Sequence, residues 1–368
     1  MVKRVLHYVG KMDFGGMEAM IMNLYRNINR DEWQFDFAVH SDKKGCYEDE
    51  IVSLGGRIYR FPAMRRNPFM YKQCWKIFWQ QHKNEYEVFQ MHTNSLANII
   101  ALQTATEADI PKRIVHAHSA YANKGKLQFL NDILHKYNRN RLGKYANLCF
   151  ACSELAADWM FGHDSLKSGK AIILNNGVDY NRFAFCSEKR VLLRENLGLS
   201  NKITLIQVGS LLPVKNHQFT IKVIKRLVEF GNTNLVCLFM GDGPLRQSLE
   251  EIVQKEDLGK YIIFLGAKSN IEDYLSSSDI FLMPSLYEGM PLSVVEAQVS
   301  GLKCLISDSI TKMAKVSNNV DYLSIEDVNA WSEYIIKARL NEARSNLSLD
   351  NRLNIINTSQ IYTEYLLK

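Results

Sequence analysis

Residues 279–301 restrict the fold open to this chain more than any other segment. The segment begins with a short apolar run at residues 279–283 between turn residues, which is typical of a buried strand in a parallel sheet. A loop with Gly289 and Pro291 follows, and a helical pattern starts near Leu292. Because backbone N–H groups at a helix N-terminus attract anions, this loop is suited to bind a phosphate. The segment therefore predicts an α/β fold with a ligand site at this turn.

Two carboxylates bracket the same turn. Glu288 lies in the loop, and Glu296 lies in the helix, four residues after Leu292. That spacing places Glu296 and Leu292 on one face of the helix, so both carboxylates can face the same crevice. The backbone amides of the turn can bind a phosphate, and the two carboxylates can accept hydrogen bonds from hydroxyl groups. This combination suits a sugar nucleotide.

Apolar runs alternate with loops and helical patterns along the whole chain. A length of 368 residues corresponds to about two domains of ~150 residues each. The runs that we interpret as strands lie at residues 2–9, 33–40, 57–60, 86–91, 112–117, 146–153, 171–174, 202–209, 234–240, 261–265, 279–283, 303–307 and 320–323. We therefore predict two Rossmann-like, doubly wound parallel-sheet domains at residues 1–185 and 186–345.

The Glu-x7-Glu spacing in a strand–loop–helix resembles the retaining family-4 glycosyltransferases, which have the GT-B fold. Further pieces occur in the family's order, namely Asp13-Phe14-Gly15-Gly16, Asn175-Asn176-Gly177-Val178-Asp179, Val208-Gly209 followed by Lys215-Asn216, and Gly241-Asp242-Gly243-Pro244. The set covers nearly the whole chain and is most similar to bacterial enzymes of capsule and exopolysaccharide biosynthesis. The resemblance implies two domains facing a central cleft, with a C-terminal helix at residues 346–368 that returns to the first domain.

The resemblance also implies a function, a retaining hexosyltransferase that moves a sugar from a UDP-sugar to a glycan or lipid-linked acceptor. The implied catalytic residues are His118, Lys215 and Glu288. The implied donor-binding residues are Gly15, Gly16, Ser210, Lys215, Lys268, Ser269, Asn270, Glu288, Gly289, Met290, Pro291, Leu292, Ser293 and Glu296. Physical chemistry supports Lys215 independently, because a lysine beside a helix N-terminus is a mobile point charge suited to a diphosphate.

The chain departs from the family at position 210, where Ser210 stands in place of an arginine. That arginine and the lysine together neutralise the leaving diphosphate, and a lost stabilising group at a developing anion can cost ~10²–10³ in rate. Either another cation substitutes, or the chain is weakly active or needs a partner. A non-catalytic GT-B subunit that activates another transferase is therefore an alternative, and a GT-B epimerase is another. A nicotinamide-dependent enzyme is disfavoured, because Gly241-x-Gly243 lacks the third glycine of that fingerprint.

Neither a metal nor a cofactor is expected. His116 and His118 point the same way on a strand, but the sequence offers no third ligand beside them, and no DxD-like motif accompanies the proposed site. We therefore predict metal independence and no cofactor besides the donor substrate.

Composition argues for a cytoplasmic protein. A net charge of +6 is too small to indicate nucleic-acid binding, and no apolar run approaches the ~18 residues of a membrane span. A peripheral contact with an anionic membrane is a hypothesis for one basic and aromatic cluster, and the alternative is a solvated loop and helix start. The cluster consists of Arg57, Arg60, Phe61, Arg65, Arg66, Phe69, Met70, Tyr71 and Lys72. A helix predicted at residues 127–142 is expected to expose Lys136, Arg139 and Arg141.

Overall fold

A computed structural model describes residues 2–64, 67–119, 128–338, 344 and 348–368. The strands are β1 Lys3–Val9, β2 Trp33–Val39, β3 Ile58–Arg60, β4 Val88–Thr93, β5 Lys112–Ala117, β6 Leu148–Ala151, β7 Ile172–Ile173, β8 Ile203–Val208, β9 Leu235–Met240, β10 Ile262–Gly266, β11 Ile280–Met283, β12 Lys303–Ser307 and β13 Val320–Leu323. The helices are α1 Gly16–Asn27, α2 Glu48–Ser53, α3 Pro68–His82, α4 Ile100–Glu107, α5 Gln128–Arg141, α6 Glu154–Phe161, α7 Tyr180–Phe183, α8 Ser187–Asn196, α9 His217–Glu229, α10 Arg246–Lys255, α11 Ile271–Ser277, α12 Leu292–Val299, α13 Val328–Ala338 and α14 Ile355–Leu367.

The strands form two parallel sheets. The first has the order β3-β2-β1-β4-β5-β6-β7, and the second has the order β10-β9-β8-β11-β12-β13. Helices cover both faces of such sheets, so the interior strands are largely buried. In β9, all six residues are buried and apolar. The predicted fold class, two Rossmann-like parallel-sheet domains, is confirmed.

One long helix was not predicted. The helix α3 begins with Pro68 in its first turn and is capped by Asn67, whose side chain accepts the amide of Met70. It buries Trp75 and Trp79 in the first core. The sequence analysis expected at most a loop and a helix start in this region, and it did not predict the full helix.

The chain separates into two compact units, residues 1–177 with 355–368 and residues 178–354. Within the second unit, the amide of Val178 donates to Leu353 O, and the Tyr180 hydroxyl donates to Asp350 O at 2.7 Å. Residues 178–185 therefore belong to the second unit, whereas the sequence predicts them in the first domain.

The C-terminal helix belongs to the first unit. The hydroxyl of Tyr362 on α14 donates to Gln90 Oε1, and Lys112 Nζ donates to the carbonyl oxygens of Tyr365 and Leu366 at 2.7 Å. The lysine also neutralises the partial negative charge of this helix C-terminus. None of the helices in the described parts of the chain combines the length and the hydropathy that crossing a bilayer requires.

Candidate functional site

Each sheet reverses its strand order at one point, between β1 and β4 in the first unit and between β8 and β11 in the second. Ligands of doubly wound sheets bind outside the carboxyl ends of the strands at such a point. In the second unit, the loops after β8 and β11 carry Lys215 and Glu288. Two residues that lie far apart in the sequence are therefore neighbours at the reversal.

The side chains of Lys215 and Glu288 form an ion pair. Lys215 Nζ lies 2.6 Å from Glu288 Oε1, and the two side chains are only 19% and 14% exposed. An ion pair so far withdrawn from water is screened less than a surface pair. The pair places one cation and one carboxylate side by side at the carboxyl edge of the sheet.

Hydrogen bonds between the two loops hold this pair in place. Asn216 adopts a left-handed conformation with φ of +54°, and its side-chain amide donates to Pro284 O at 3.0 Å. The amide of Leu286 donates in turn to Val214 O at 2.8 Å. Asparagine tolerates the left-handed region better than most residues. We identified Asn216 only as part of a motif, and the structure shows that it joins the two loops.

The side chain of Gln207 fixes the backbone of Lys215 by a hydrogen bond. Its side-chain amide donates to Lys215 O at 2.8 Å, and its carbonyl accepts the Thr220 hydroxyl at 2.6 Å. All three groups of this network are in the second unit, and Gln207 itself is buried on β8. Sequence analysis missed Gln207, although a glutamine inside an apolar strand is a signal that a buried hydrogen bond is present.

Glycines allow the strand ends to approach one another. A Cβ on Gly241 would lie 2.0 Å from Gly209 O, and a Cβ on Gly209 would lie 3.2 Å from Lys215 Cε. The φ angles of Gly209 and Gly241 are +153° and +148°, a region that side chains disfavour. The lysine side chain therefore lies directly against a bare backbone at the end of β8.

The helix α12 begins at Leu292, as expected, and Pro291 is its N-cap residue without a side-chain cap. Ser293 and Leu292 thus supply first-turn amides beside the loop of Gly289 and Met290. Glu296, one turn into the helix, is only 7% exposed. The predicted phosphate-binding turn and its two carboxylates occur together on one strand–loop–helix.

Other predicted donor-binding residues lie further along the same sheet edge. Ser210 is half-buried after β8, whereas Lys268 and Ser269 are exposed after β10, the edge strand. Ser269 O accepts Arg182 Nη2 at 2.9 Å, and Asn270 Nδ2 donates to Asp273 at 2.8 Å. Residues 268–270 thus lie two strands away from the Lys215 loop.

In the first unit, Gly15 and Gly16 begin α1 after β1. A Cβ on Gly15 would lie 2.3 Å from Glu18 Oε2, so the Glu18 carboxylate is packed against this helix N-terminus. Burial raises the pKa of Glu18. A carboxylate at this position competes with a phosphate for the helix N-terminus. Unless the Glu18 side chain moves away, the site therefore suits a ligand with hydroxyl groups.

His118 is the end of a buried histidine chain. His118 Nε2 lies 2.8 Å from His92 Nδ1, and His92 Nε2 lies 2.9 Å from His7 Nδ1. Burial lowers the pKa of His118 to about 3 and that of His7 to about 3 as well. His118 is therefore neutral at physiological pH, and its buried Nδ1 has no hydrogen-bond partner among the described residues.

A third histidine lies beside the two that the sequence suggested. His92 pairs in register with His116 across β4 and β5, and one ring nitrogen each of His92, His116 and His118 lie within 4.8 Å of one another. The sequence argument that no third ligand is present was wrong, because strand neighbours are not adjacent in the sequence. Both nitrogens of His92 already take part in hydrogen bonds, however, so binding a cation there would break one of them.

Most cations of the predicted membrane-binding cluster are paired with acids. Arg57 contacts Glu85, Arg60 contacts Glu48 and Lys72 contacts Glu107. Arg65 and Arg66 lie outside the described residues. Phe69 is 81% exposed and Met70 is 54% exposed, whereas Tyr71 is buried.

Two doubly wound parallel sheets are the architecture of GT-B enzymes. In this chain, each sheet has loops suited to ligand binding at the point where its strand order reverses. The family "Glycosyltransferase Family 4" matches residues 14–182, and the family "Glycosyl transferases group 1" matches residues 190–355. Each match falls largely within one predicted domain.

Relatives extend over nearly the whole chain. EpsF of Bacillus subtilis (strain 168), a relative whose name describes it as a glycosyltransferase, is 32% identical to this chain. The match covers 98% of this chain and 97% of EpsF. The UDP-Gal:alpha-D-GlcNAc-diphosphoundecaprenol alpha-1,3-galactosyltransferase of Escherichia coli is 33% identical over 88% of this chain and 85% of its own. The structure of HepE from Anabaena with UDP and glucose has the same fold, with a TM-score of 0.78 at 14% identity over 99% of both chains. This chain belongs to glycosyltransferase family 4 and has the GT-B fold.

Proposed function

We propose that this chain transfers a sugar from a UDP-sugar, with retention, to a lipid-linked diphosphate acceptor in surface polysaccharide biosynthesis. The observation that carries the proposal is the Lys215–Glu288 pair beside the N-terminus of α12 at the reversal of the second sheet. A cation, first-turn backbone amides and a carboxylate are the groups that a sugar diphosphate needs.

The ion pair determines how the donor enters. Glu288 compensates the charge of Lys215 while the site holds no ligand, so a diphosphate must compete with this carboxylate for the lysine. The competition is relieved when Glu288 accepts hydroxyl groups of the donor sugar. In our proposal the sugar thus releases Lys215 to the diphosphate, and Glu296 accepts the ribose hydroxyls.

Departure of UDP places negative charge on the diphosphate. Lys215 and the backbone N–H groups of Gly289, Met290, Leu292 and Ser293 stabilise that charge, and the fixed loops leave little reorganisation for the reaction itself. Since these groups neutralise the leaving group, we propose that no metal is needed. His118, which is neutral, can bind a hydroxyl group of a ligand at the sheet edge of the first unit through its Nδ1 rather than by its charge.

The acceptor and the donor class rest on relatives. The Escherichia coli relative is named for UDP-Gal as donor and a diphosphoundecaprenol-linked sugar as acceptor. A peripheral position at the membrane follows from such an acceptor. The identity of the donor sugar is the first result that the experiment should give.

The test is a panel of UDP-sugars with a diphosphoundecaprenol-linked sugar as acceptor. Lys215→Ala and Glu288→Ala should each reduce turnover by about 10²-fold or more. The matched control is the exposed ion pair between Lys225 and Glu256 on the same unit, at 2.5 Å. Lys225→Ala should leave turnover unchanged. Equal effects of Lys215→Ala and Lys225→Ala would refute the assigned site.

A second candidate is a non-catalytic subunit that activates another transferase, and Ser210 favours it. If this is the function, UDP-sugars should bind without turnover even with the lipid-linked acceptor, and a second transferase should gain activity on mixing. Turnover by the purified chain alone would exclude this alternative.

A further inference from the structure

We propose that His92, His116 and His118 form a binding site for one transition metal ion of the zinc class, and that the bound ion inhibits the chain. The site lies in the first unit, where β4 and β5 are neighbours in the sheet. Binding depends on these residues alone, whereas inhibition also rests on the proposed function. Transfer itself remains independent of metal.

The three side chains come together through the register of the sheet. His92 pairs with His116 across the two strands, and His118 follows just beyond the end of β5. The ring centroids of His116 and His118 lie 4.1 Å apart, and the His92 ring lies 5.4 Å and 5.0 Å from them. One ring nitrogen of each residue lies within 4.8 Å of the others. Tetrahedral Zn²⁺ holds its nitrogen ligands about 3.4 Å apart, so side-chain movements on the order of 1 Å complete the site.

Two nitrogens of this group are buried without a partner. Neither His116 Nε2 nor His118 Nδ1 has a hydrogen-bond partner among the described residues, and His116 is 0% exposed. An unpaired polar atom inside a protein calls for an explanation, and a bound ion is one such explanation. A ring nitrogen that no hydrogen bond uses can bind a metal without the loss of an existing bond.

His92 supplies the third nitrogen and keeps a partner on its other side. Its Nδ1 lies 2.8 Å from His118 Nε2, and its Nε2 lies 2.9 Å from His7 Nδ1. Coordination through Nδ1 gives up the bond to His118, whose ring then binds the ion instead. The second bond persists, with His92 Nε2–H donating to His7. His7 therefore orients this ligand, as the outer partners of metal-bound histidines commonly do.

Gln90 has the same role for His116. Gln90 Nε2 lies 3.3 Å from His116 Nδ1, and Gln90 Oε1 accepts the hydroxyl of Tyr362. Coordination through His116 Nε2 requires a proton on Nδ1, so the amide must then present its oxygen. Reversal of the amide is permitted, because the Tyr362 hydroxyl can accept a hydrogen bond as well as donate one. The ligands on β4 and β5 thus each have an orienting partner.

The donor set selects the class of metal. The group that the described residues form contains only imidazoles, with neither a carboxylate nor a thiol. Imidazole suits zinc, copper, nickel and iron ions, whereas Mg²⁺ and Ca²⁺ prefer oxygen ligands. Three histidines also leave the fourth position of a tetrahedral Zn²⁺ open for water or hydroxide, and a hydroxide there reduces the buried charge.

An ion at this position takes His118 out of use. In the proposed function, His118 Nδ1 can bind a hydroxyl group of a ligand at the sheet edge. The ion would occupy a nitrogen of this ring and turn the ring toward His92 and His116. Zn²⁺ should therefore inhibit transfer.

Titration of the full chain with Co²⁺ tests binding without donor or acceptor. After removal of metals, one Co²⁺ ion should bind per chain with the visible absorption of a four-coordinate site. Zn²⁺ should displace it, and Mg²⁺ should not. His116→Gln should weaken Co²⁺ binding about 100-fold or more and His7→Leu about tenfold, as expected for a ligand and for its outer partner.

His135→Gln is the matched control. His135 is 1% exposed in the same unit, but it accepts the amide of Leu96 and lies outside the group. This variant should bind Co²⁺ like the parent. His118→Asn, at a less buried position, guards against misfolding of His116→Gln and should also weaken binding. Unchanged binding in His116→Gln, an equal loss in His135→Gln, or binding that Cys46→Ser abolishes would overturn the site.

Turnover separates the metal site from the proposed function. Saturation with Zn²⁺ should reduce turnover about tenfold or more. His116→Gln should need more Zn²⁺ for the same fractional loss relative to its own metal-free rate. Full turnover by the Zn²⁺-saturated chain would refute the inhibition, and absence of Co²⁺ binding by the parent would refute the site. If no acceptor is ever glycosylated, the proposed function fails while the cobalt titration still decides the metal site.

Discussion

Replacement of Gly241 by alanine should disturb the candidate site without touching any substrate-binding side chain. The new Cβ would lie 2.0 Å from Gly209 O and 2.7 Å from Gly209 C. Both atoms belong to the backbone at the end of β8, and the amide of Gly209 is bonded to Met240 O at 2.9 Å. The clash can therefore be relieved only by a shift of the backbone that leads into the Lys215 loop.

The expected destabilisation has two parts. A side chain at φ of +148° costs about 1–3 kcal/mol, and the added methyl group in a filled space costs about 1–3 kcal/mol. The sum of about 2–6 kcal/mol is a large part of the 5–15 kcal/mol typical of a folded domain. Gly241→Ala should therefore fold but unfold at clearly lower urea concentration, and it should bind UDP more weakly.

Gly231→Ala is the control, because Gly231 also has a positive φ, +78°, while a Cβ there meets nothing within 4 Å. It carries the backbone strain alone. Urea unfolding and calorimetric UDP binding of both variants should differ by the clash at Gly209. If the two variants unfold at the same urea concentration and bind UDP equally well, the close approach of the two strand ends does not exist.

Three further predictions concern charge. Burial lowers the pKa of His7 to about 3, so between this pH and the ordinary pKa of ~6.5 only the unfolded chain binds the proton. The contribution of neutral His7 to the free energy of unfolding is therefore fully present above pH ~6.5 and is lost as the pH falls. His7→Leu should therefore reduce the loss of unfolding free energy between about pH 7 and about pH 5 by about 2 kcal/mol. Ser210→Arg should raise turnover about tenfold or more and Ser210→Gln should not, as measured by UDP release; equal rates would show that no cation is lacking there. Chelation of divalent metals should leave turnover unchanged, and a loss that Zn²⁺ restores would point to the histidine cluster instead.

The fold could be predicted because its signal is local. A strand buried on both faces is apolar along its length, as in β9, and a glycine turn follows it. The helix α3 carries a local signal too, since its buried residues Tyr71, Trp75, Phe78 and Trp79 follow the helical period after a cap at Asn67. It was missed because the basic residues of this region were interpreted as part of a surface cluster.

The candidate site could be predicted only in part. Lys215 and Glu288 each follow a strand, but they meet because β8 and β11 are neighbours, and strand order is not encoded in either segment. The family resemblance supplied that order. No comparable signal pointed to His92, which lies beside His116 through the register of β4 and β5.

The orientation of α5 shows where periodicity alone misleads. Apolar residues at Phe129, Ile133 and Tyr137 predict a buried face, yet the structure exposes it. Two polar residues reverse the orientation, because His135 and Asn138 satisfy the backbone of Leu96, and an unpaired buried peptide group costs about 1–3 kcal/mol. The outward apolar face of α5 is therefore fixed by the polar hydrogen bonds of its other face and not by its own periodicity.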